Sequence, residues 1–115
     1  MTAGNHVMAL LCVALIAVGQ ILFKLTANSI NVAGTVLDRT VISIASASLI
    51  IYGIATLAWV YLLQTAPLSR AYPYMALSFV IVGLVSWLYF QEPMSGFYAA
   101  GLTLIVLGII MIAAA

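Results

Sequence analysis

Two polar side chains lie near the end of the first long apolar stretch, where ionisable groups are costly and usually functional. Lys24 is close to the carboxyl end of residues 7–26, and Gln20 precedes it by four residues, so helical geometry places both on one face. In one interpretation Lys24 extends to the membrane surface or pairs with Glu92. In the other, Lys24 and Gln20 line a path for an anionic or strongly polar head group. The residues alone leave both open.

A second basic side chain, Arg70, comes directly before the Ala71, Tyr72, Pro73 run, which is expected to open a helix. The free N–H groups of a helix amino terminus suit phosphate, and a guanidinium matches its oxygens. The alternative is that Arg70 sets the membrane topology by reaching lipid phosphates. Tyr72 either belongs to an interfacial aromatic belt or faces a pathway. Substrate binding by Arg70 and Tyr72 is therefore a hypothesis.

The acidic side chains are Asp38 and Glu92, and both fall in predicted loops. Because a proton-coupled cation exporter needs a carboxylate within the membrane, cation export through a buried acid is disfavoured. His6 is expected to be exposed, with no second metal ligand at helical spacing. We predict no catalytic residue, cofactor or metal, and three basic residues cannot form a nucleic-acid-binding face.

The elements that must position these side chains are membrane-spanning helices. The chain is 67% hydrophobic and 4% charged, whereas a soluble domain is about a quarter charged. Four apolar stretches are long enough to cross ~30 Å of hydrocarbon: residues 7–26, 41–64, 71–90 and 97–114. Short connections imply antiparallel neighbours. We therefore predict an all-α membrane protein, a single domain over residues 1–115 with four helices running up-down-up-down.

The charge distribution leaves the orientation in the membrane open. Arg70 and the amino terminus lie on one side, and Arg39 and Lys24 lie on the other, so the preference for cytoplasmic basic residues is nearly balanced. Dual insertion and orientation by a partner are both compatible with this balance.

A second subunit is expected because four helices are few for a closed pathway. Gly101 and Gly108 are seven residues apart on one face of the last segment, and small residues favour close helix contacts in lipid. We predict a dimer contact at Gly101, Leu104, Ile105 and Gly108. Ser78 and Ser86 in the third segment serve either helix packing or a polar cavity.

Several runs resemble the small multidrug resistance proteins and the EamA-like drug/metabolite transporter superfamily. They cover nearly the whole chain: residues 18–24 with Gly19 five positions before Lys24, residues 67–73, residues 91–95, and residues 101–108 in the dimerisation helix. In the drug exporters a glutamate stands three residues before the first-helix glycine. Here that residue is Ile16, which argues against proton-coupled export of cationic drugs.

The closer resemblance is to the small subunits that flip aminoarabinose linked to undecaprenyl phosphate. These share the Gly19, Gln20, Lys24 pattern, a basic residue like Arg70, and the turn at Glu92. The resemblance implies a transporter of an anionic lipid-linked sugar in the bacterial inner membrane, working as a homo- or heterodimer with a related four-helix subunit. It makes Gln20, Lys24, Arg70, Tyr72 and Glu92 the substrate-binding candidates, with Glu92 able to position Lys24.

Two rival functions remain at this stage. One is an exporter of small polar or cationic metabolites, which would require a carboxylate to enter the pathway. The other is a non-transporting accessory subunit that recruits or stabilises a membrane glycosyltransferase.

Overall fold

The computed structural model describes all residues 1–115 and consists of helices and connecting turns. The helices are α1 (Ala3–Ala33), α2 (Arg39–Leu63), α3 (Leu68–Leu88) and α4 (Gly96–Ala114). All four are long and apolar enough to cross a membrane. A helix suits a lipid environment because it satisfies its own backbone N–H and C=O groups. The prediction of four such helices is confirmed.

Helix α1 continues seven residues beyond its predicted end at residue 26. Apolarity marks the part of a helix that suits hydrocarbon, whereas the helix itself ends where the backbone turns. That turn is Gly34, whose φ of 74° is left-handed and whose N–H donates to the Ile30 carbonyl at 2.8 Å. The 31 residues of α1 span ~46 Å, more than the hydrocarbon thickness. Lys24 therefore lies well inside α1 rather than at its last turn.

Helix α3 begins at Leu68, three residues before the predicted start. Its first turn is α-helical, and a 3-10 turn over Tyr72–Met75 follows, because Pro73 lacks the N–H that an α-helical bond would need. The N–H groups of Arg70 and Ala71 donate to the Pro67 carbonyl, and that of Tyr72 donates to Leu68. The expected helix opening at Ala71 with free N–H groups for phosphate is therefore wrong.

The helices lie side by side in the order α2, α1, α3, α4, with α1 packed on α2 and α3, and α4 packed mainly on α3. The Cα atoms extend over 49 × 37 × 16 Å. Four helices packed side by side at spacings of about 8–10 Å account for the 37 Å width of a layer that is only 16 Å thick. A square four-helix bundle would have similar width and thickness. Because only 14 of 115 residues are buried, both faces of this layer are open.

The amino-terminal end of α1 holds the layer together. Ala9 of α1, Leu62 and Ala66 around the end of α2, and Ala71 of α3 form a buried cluster. Hence α1 is antiparallel to α2 and parallel to α3. Beside this cluster the His6 ring nitrogen Nδ1 hydrogen-bonds to the Tyr74 hydroxyl. His6 is thus a partly buried contact between α1 and α3, and the prediction that it is exposed is wrong.

Candidate functional site: a polar groove across one face of the helix layer

Gln20 and Tyr52 form a hydrogen bond in the middle of the α1–α2 contact. The Gln20 side-chain amide donates to the Tyr52 hydroxyl at 2.7 Å, and the Tyr52 ring lies 5.1 Å from that of Phe23. Gly19 makes this arrangement possible, because a Cβ at that position would lie 2.4 Å from Cδ2 of Tyr52. An aromatic ring on α2 therefore rests directly on the backbone of α1 and orients Gln20.

Gln20 also lines a groove that runs between α1, α3 and α4. This groove has a volume of about 380 Å³, and its polar lining comes from Gln20 of α1, Ser78 and Ser86 of α3, and Tyr98 of α4. The Ser78 hydroxyl is engaged by its own helix, since it donates to the Met75 carbonyl at 2.6 Å. Gln20, Ser86 and Tyr98 are each partly or largely exposed, so their polar groups are accessible to a ligand.

A second glycine admits a second tyrosine on the other side of the groove. A Cβ at Gly83 of α3 would lie 2.9 Å from the Tyr98 hydroxyl oxygen. Tyr98 belongs to the first turn of α4, where its N–H donates to the Ser95 hydroxyl at 3.0 Å. In the α1–α2 hairpin Tyr52 packs against Gly19, and in the α3–α4 hairpin Tyr98 packs against Gly83. Gln20 of α1, Tyr52 of α2 and Tyr98 of α4 thus place polar groups on three of the four helices.

The predicted site residues divide into two groups. Gln20 lines the groove, Glu92 lines a pocket that adjoins it, and Lys24 is exposed one helical turn beyond Gln20. Arg70 and Tyr72 lie instead at the far end of α3, where the exposed Tyr72 ring packs at 6.5 Å against Trp59. Since α1 and α3 are parallel, the fold does not bring Arg70 and Tyr72 together with Lys24.

Lys24 and Glu92 point to the same end of the layer without pairing. Both side chains are exposed, and no ion pair joins them. Lys24 and Glu92 therefore lie near one end of the groove and are each available to a ligand, while Asp38 and Arg39 lie at the same end of the layer on α2. Along the groove itself, the polar groups are neutral hydrogen-bonding groups.

The EamA-like transporter family matches residues 3–114 of this chain. The chain belongs to that family. With four helices of membrane-spanning length and composition, this EamA-like chain is a multi-pass membrane protein.

The chain is also similar to curated bacterial proteins that are each named as a probable 4-amino-4-deoxy-L-arabinose-phosphoundecaprenol flippase subunit. The protein of Enterobacter sp. (strain 638) is 38% identical over 68 residues, covering 59% of this chain and 64% of that protein. The Pseudomonas aeruginosa (strain UCBPP-PA14) protein is 40% identical over 65 residues, 56% of each chain. The Sodalis glossinidius protein is 36% identical over 91 residues, 79% of this chain and 80% of its own.

The alignment with the first two of these relatives thus spans somewhat more than half of their length. No solved structure matches the chain. The superfamily resemblance predicted from Gly19, Lys24 and the other runs is confirmed by the family match.

Sequence reasoning did not single out Tyr98 and Gly83, which line the groove, or Tyr52, which orients Gln20 beside it. Tyr52 did carry a signal, because it falls in the middle of the predicted segment 41–64, whereas belt tyrosines lie at segment ends. A polar aromatic residue at mid-membrane depth needs a hydrogen-bond partner, and Gln20 is at a comparable depth of α1. Tyr98 carried no such signal, since it begins its segment as a belt residue would.

Replacing Tyr52 by Phe in this EamA-like protein is expected to keep the ring and remove the hydroxyl that Gln20 contacts. Hydrogen bonds between membrane helices contribute on the order of 0.6 kcal/mol, so we expect the melting temperature in detergent to fall by only a few degrees. Thermal unfolding of purified Tyr52→Phe beside Tyr61→Phe, another α2 tyrosine that is exposed, measures this. A drop above ten degrees for Tyr52→Phe would show that the contact does more than a single hydrogen bond.

Proposed function

We propose that this chain is one subunit of a flippase that moves a polyprenyl-phosphate-linked sugar across the bacterial inner membrane. The observation that carries the proposal is the polar groove, because it offers neutral hydrogen-bonding groups across an apolar layer and has Lys24 one turn beyond Gln20. The names of the curated relatives support the same substrate class.

The chemistry of such a substrate matches the groove. The polyprenyl tail is apolar and can remain in lipid, whereas the phosphate and the sugar hydroxyls are costly to remove from water without new partners. Gln20, Ser86 and Tyr98 supply hydrogen bonds to the sugar, and Lys24 supplies a cation to the phosphate. The open side of the groove lets the tail follow the head group through the hydrocarbon.

The absence of acidic residues from the helices favours this substrate over a cationic metabolite. Asp38 and Glu92 lie outside the four helices, so an exported cation would meet no carboxylate at mid-membrane depth. Arg70 and Tyr72, at the other end of α3, are candidates for contact with the head group at the opposite membrane surface. They would act at a different stage from Lys24.

A second, related four-helix subunit is part of the proposal. The curated relatives are named as subunits, and a single layer leaves the groove open on one side. Gly101 and Gly108 of α4 have nothing within 4 Å of the position where a Cβ would stand. Together with Leu104 and Ile105, they offer a face on which a partner helix can pack closely. The partner that packs on this face can be a second copy of this chain or a related four-helix subunit.

The proposal is tested in cells of a bacterium that makes the lipid-linked amino sugar, with and without this chain. A membrane-impermeant amine reagent added outside spheroplasts labels the sugar amine once the head group has crossed the membrane. We expect labelling to depend on the chain, and to fall when Gln20→Leu replaces the hydrogen-bonding amide in the groove with an apolar side chain of similar size. Equal labelling with and without the chain, at equal total lipid, would contradict the proposal.

A further inference from the structure

The pocket that adjoins the groove is lined by Glu92, one of two carboxylates at this end of the layer. The other, Asp38, lies at the start of α2 and does not line this pocket. The pocket has a volume of about 140 Å³, and the groups that matter for binding are Ser86, Trp87, Glu92 and Tyr98. Liquid water occupies ~30 Å³ per molecule, so the pocket has room for roughly five waters, which is on the order of one sugar ring. Ser86 and Tyr98 also line the groove, so the pocket and the groove are separated only by side chains that both of them share.

The turn after α3 folds Glu92 back toward this pocket. Gln91 has a φ of 55°, a left-handed conformation that non-glycine residues seldom adopt. The Glu92 N–H then donates to the Ser86 carbonyl at 3.0 Å. As a result the backbone of Glu92 is tied to the last turns of α3, and Glu92 lines the pocket together with Trp87 and Tyr98.

The combination of groups in the pocket is suited to a positively charged sugar. An ionised carboxylate accepts hydrogen bonds and does not donate them, and its bonds to an ammonium group are stronger than those to a hydroxyl. The face of an indole attracts cations as well. The hydroxyls of Ser86 and Tyr98 can serve the remaining sugar hydroxyls. Glu92 has no cationic partner within the protein, so its charge is available.

We infer that the pocket formed by Ser86, Trp87, Glu92 and Tyr98 is a subsite for the amine of an amino sugar, with Glu92 as its counter-ion. The inference rests on the proposed function, since the phosphate of the same lipid would be held by Lys24. A head group with an anionic phosphate and a cationic amine would then meet one unpaired charge of opposite sign at each of its ends.

Binding of two lipids to the purified protein in nanodiscs tests the subsite. The lipids are undecaprenyl phosphate carrying 4-amino-4-deoxyarabinose and the same lipid with a hydroxyl in place of the amine. We expect the wild-type protein to bind the amine form about tenfold more tightly, and Glu92→Gln to bind both equally. Affinity for undecaprenyl phosphate without sugar is expected to stay unchanged in Glu92→Gln, which also shows that the variant is folded.

Asp38→Asn is the matched control, because it removes the other carboxylate of the chain. Asp38 caps α2 by accepting from the Thr40 N–H at 3.0 Å, and Asn caps helices as well as Asp does. This variant is expected to keep the tenfold preference. Equal binding of the two lipids by the wild type, or a preference that survives in Glu92→Gln, would overturn the subsite and leave the flippase proposal standing. Failure of the wild type to bind any of the three lipids would overturn both.

Discussion

Gly19→Ala is expected to destabilise the protein by about 2 kcal/mol more than Gly53→Ala, a difference set by overpacking. The new Cβ would lie 2.4 Å from Cδ2 and 2.8 Å from Cε2 of Tyr52, which are two atoms of its aromatic ring. The ring cannot simply move aside, because Phe23 packs at 5.1 Å and Gln20 bonds its hydroxyl. Helices α1 and α2 must therefore separate.

Gly53 of α2 is the matched control because nothing lies within 4 Å of its Cβ position. Both substitutions gain the same intrinsic preference of Ala for a helix, so the difference between them isolates the contact with Tyr52. Thermal unfolding of the detergent-purified variants measures it. The double variant Gly19→Ala, Tyr52→Ala should be less destabilised than the sum of its single variants. Equal melting temperatures for Gly19→Ala and Gly53→Ala would show that the ring does not rest on α1 as described.

Lys24→Ala is expected to weaken binding of undecaprenyl phosphate by about tenfold or more. Loss of one partner from a desolvated charge pair costs about 2–5 kcal/mol of binding free energy. Because Lys24 is exposed, solvent screens its charge and the expected cost is at the lower limit of this range or smaller. Each 1.4 kcal/mol corresponds to a factor of ten in affinity. Titration of the lipid into protein in nanodiscs made from neutral lipids gives the affinity directly.

Arg39→Ala provides the control for charge. Arg39 is the first residue of α2 at the same end of the layer, it is exposed, and it lines none of the described pockets. If loss of any cation at this surface weakens binding, both variants will fall together. A tenfold effect confined to Lys24→Ala would place the phosphate beside the groove. An equal and small effect in both variants would remove Lys24 from the site.

The sequence predicts the number and approximate place of the helices because their apolarity is continuous over each span. It does not predict where they end. Residues 28–33 include Asn28, Ser29 and Asn31 and lie beyond the predicted apolar segment, yet they remain helical. Polar side chains do not break a helix outside the hydrocarbon, whereas the left-handed backbone at Gly34 ends it. At α3 the prediction placed Pro73 in the first turn, and the helix in fact begins upstream at Leu68.

The site was predictable only in part, for a related reason. Spacing places Gln20 and Lys24 on one face of α1, and the fold agrees with that face lining a groove at Gln20. The up-down-up-down arrangement also predicted that Arg70 and Lys24 lie on opposite sides, and in the fold they lie at opposite ends of the helix layer. Tyr98 reaches the groove because Gly83 lacks a side chain on a different helix, a relation that becomes visible only in three dimensions.

The central claim is that the groove holds an anionic lipid-linked sugar, and native mass spectrometry of the protein released gently from bacterial membranes tests it most directly. We predict that polyprenyl phosphate or its glycoside remains bound to the wild-type protein and to Arg39→Ala, and is lost from Lys24→Ala. Bulk phospholipid alone, in the same amount on all three proteins, would contradict the claim.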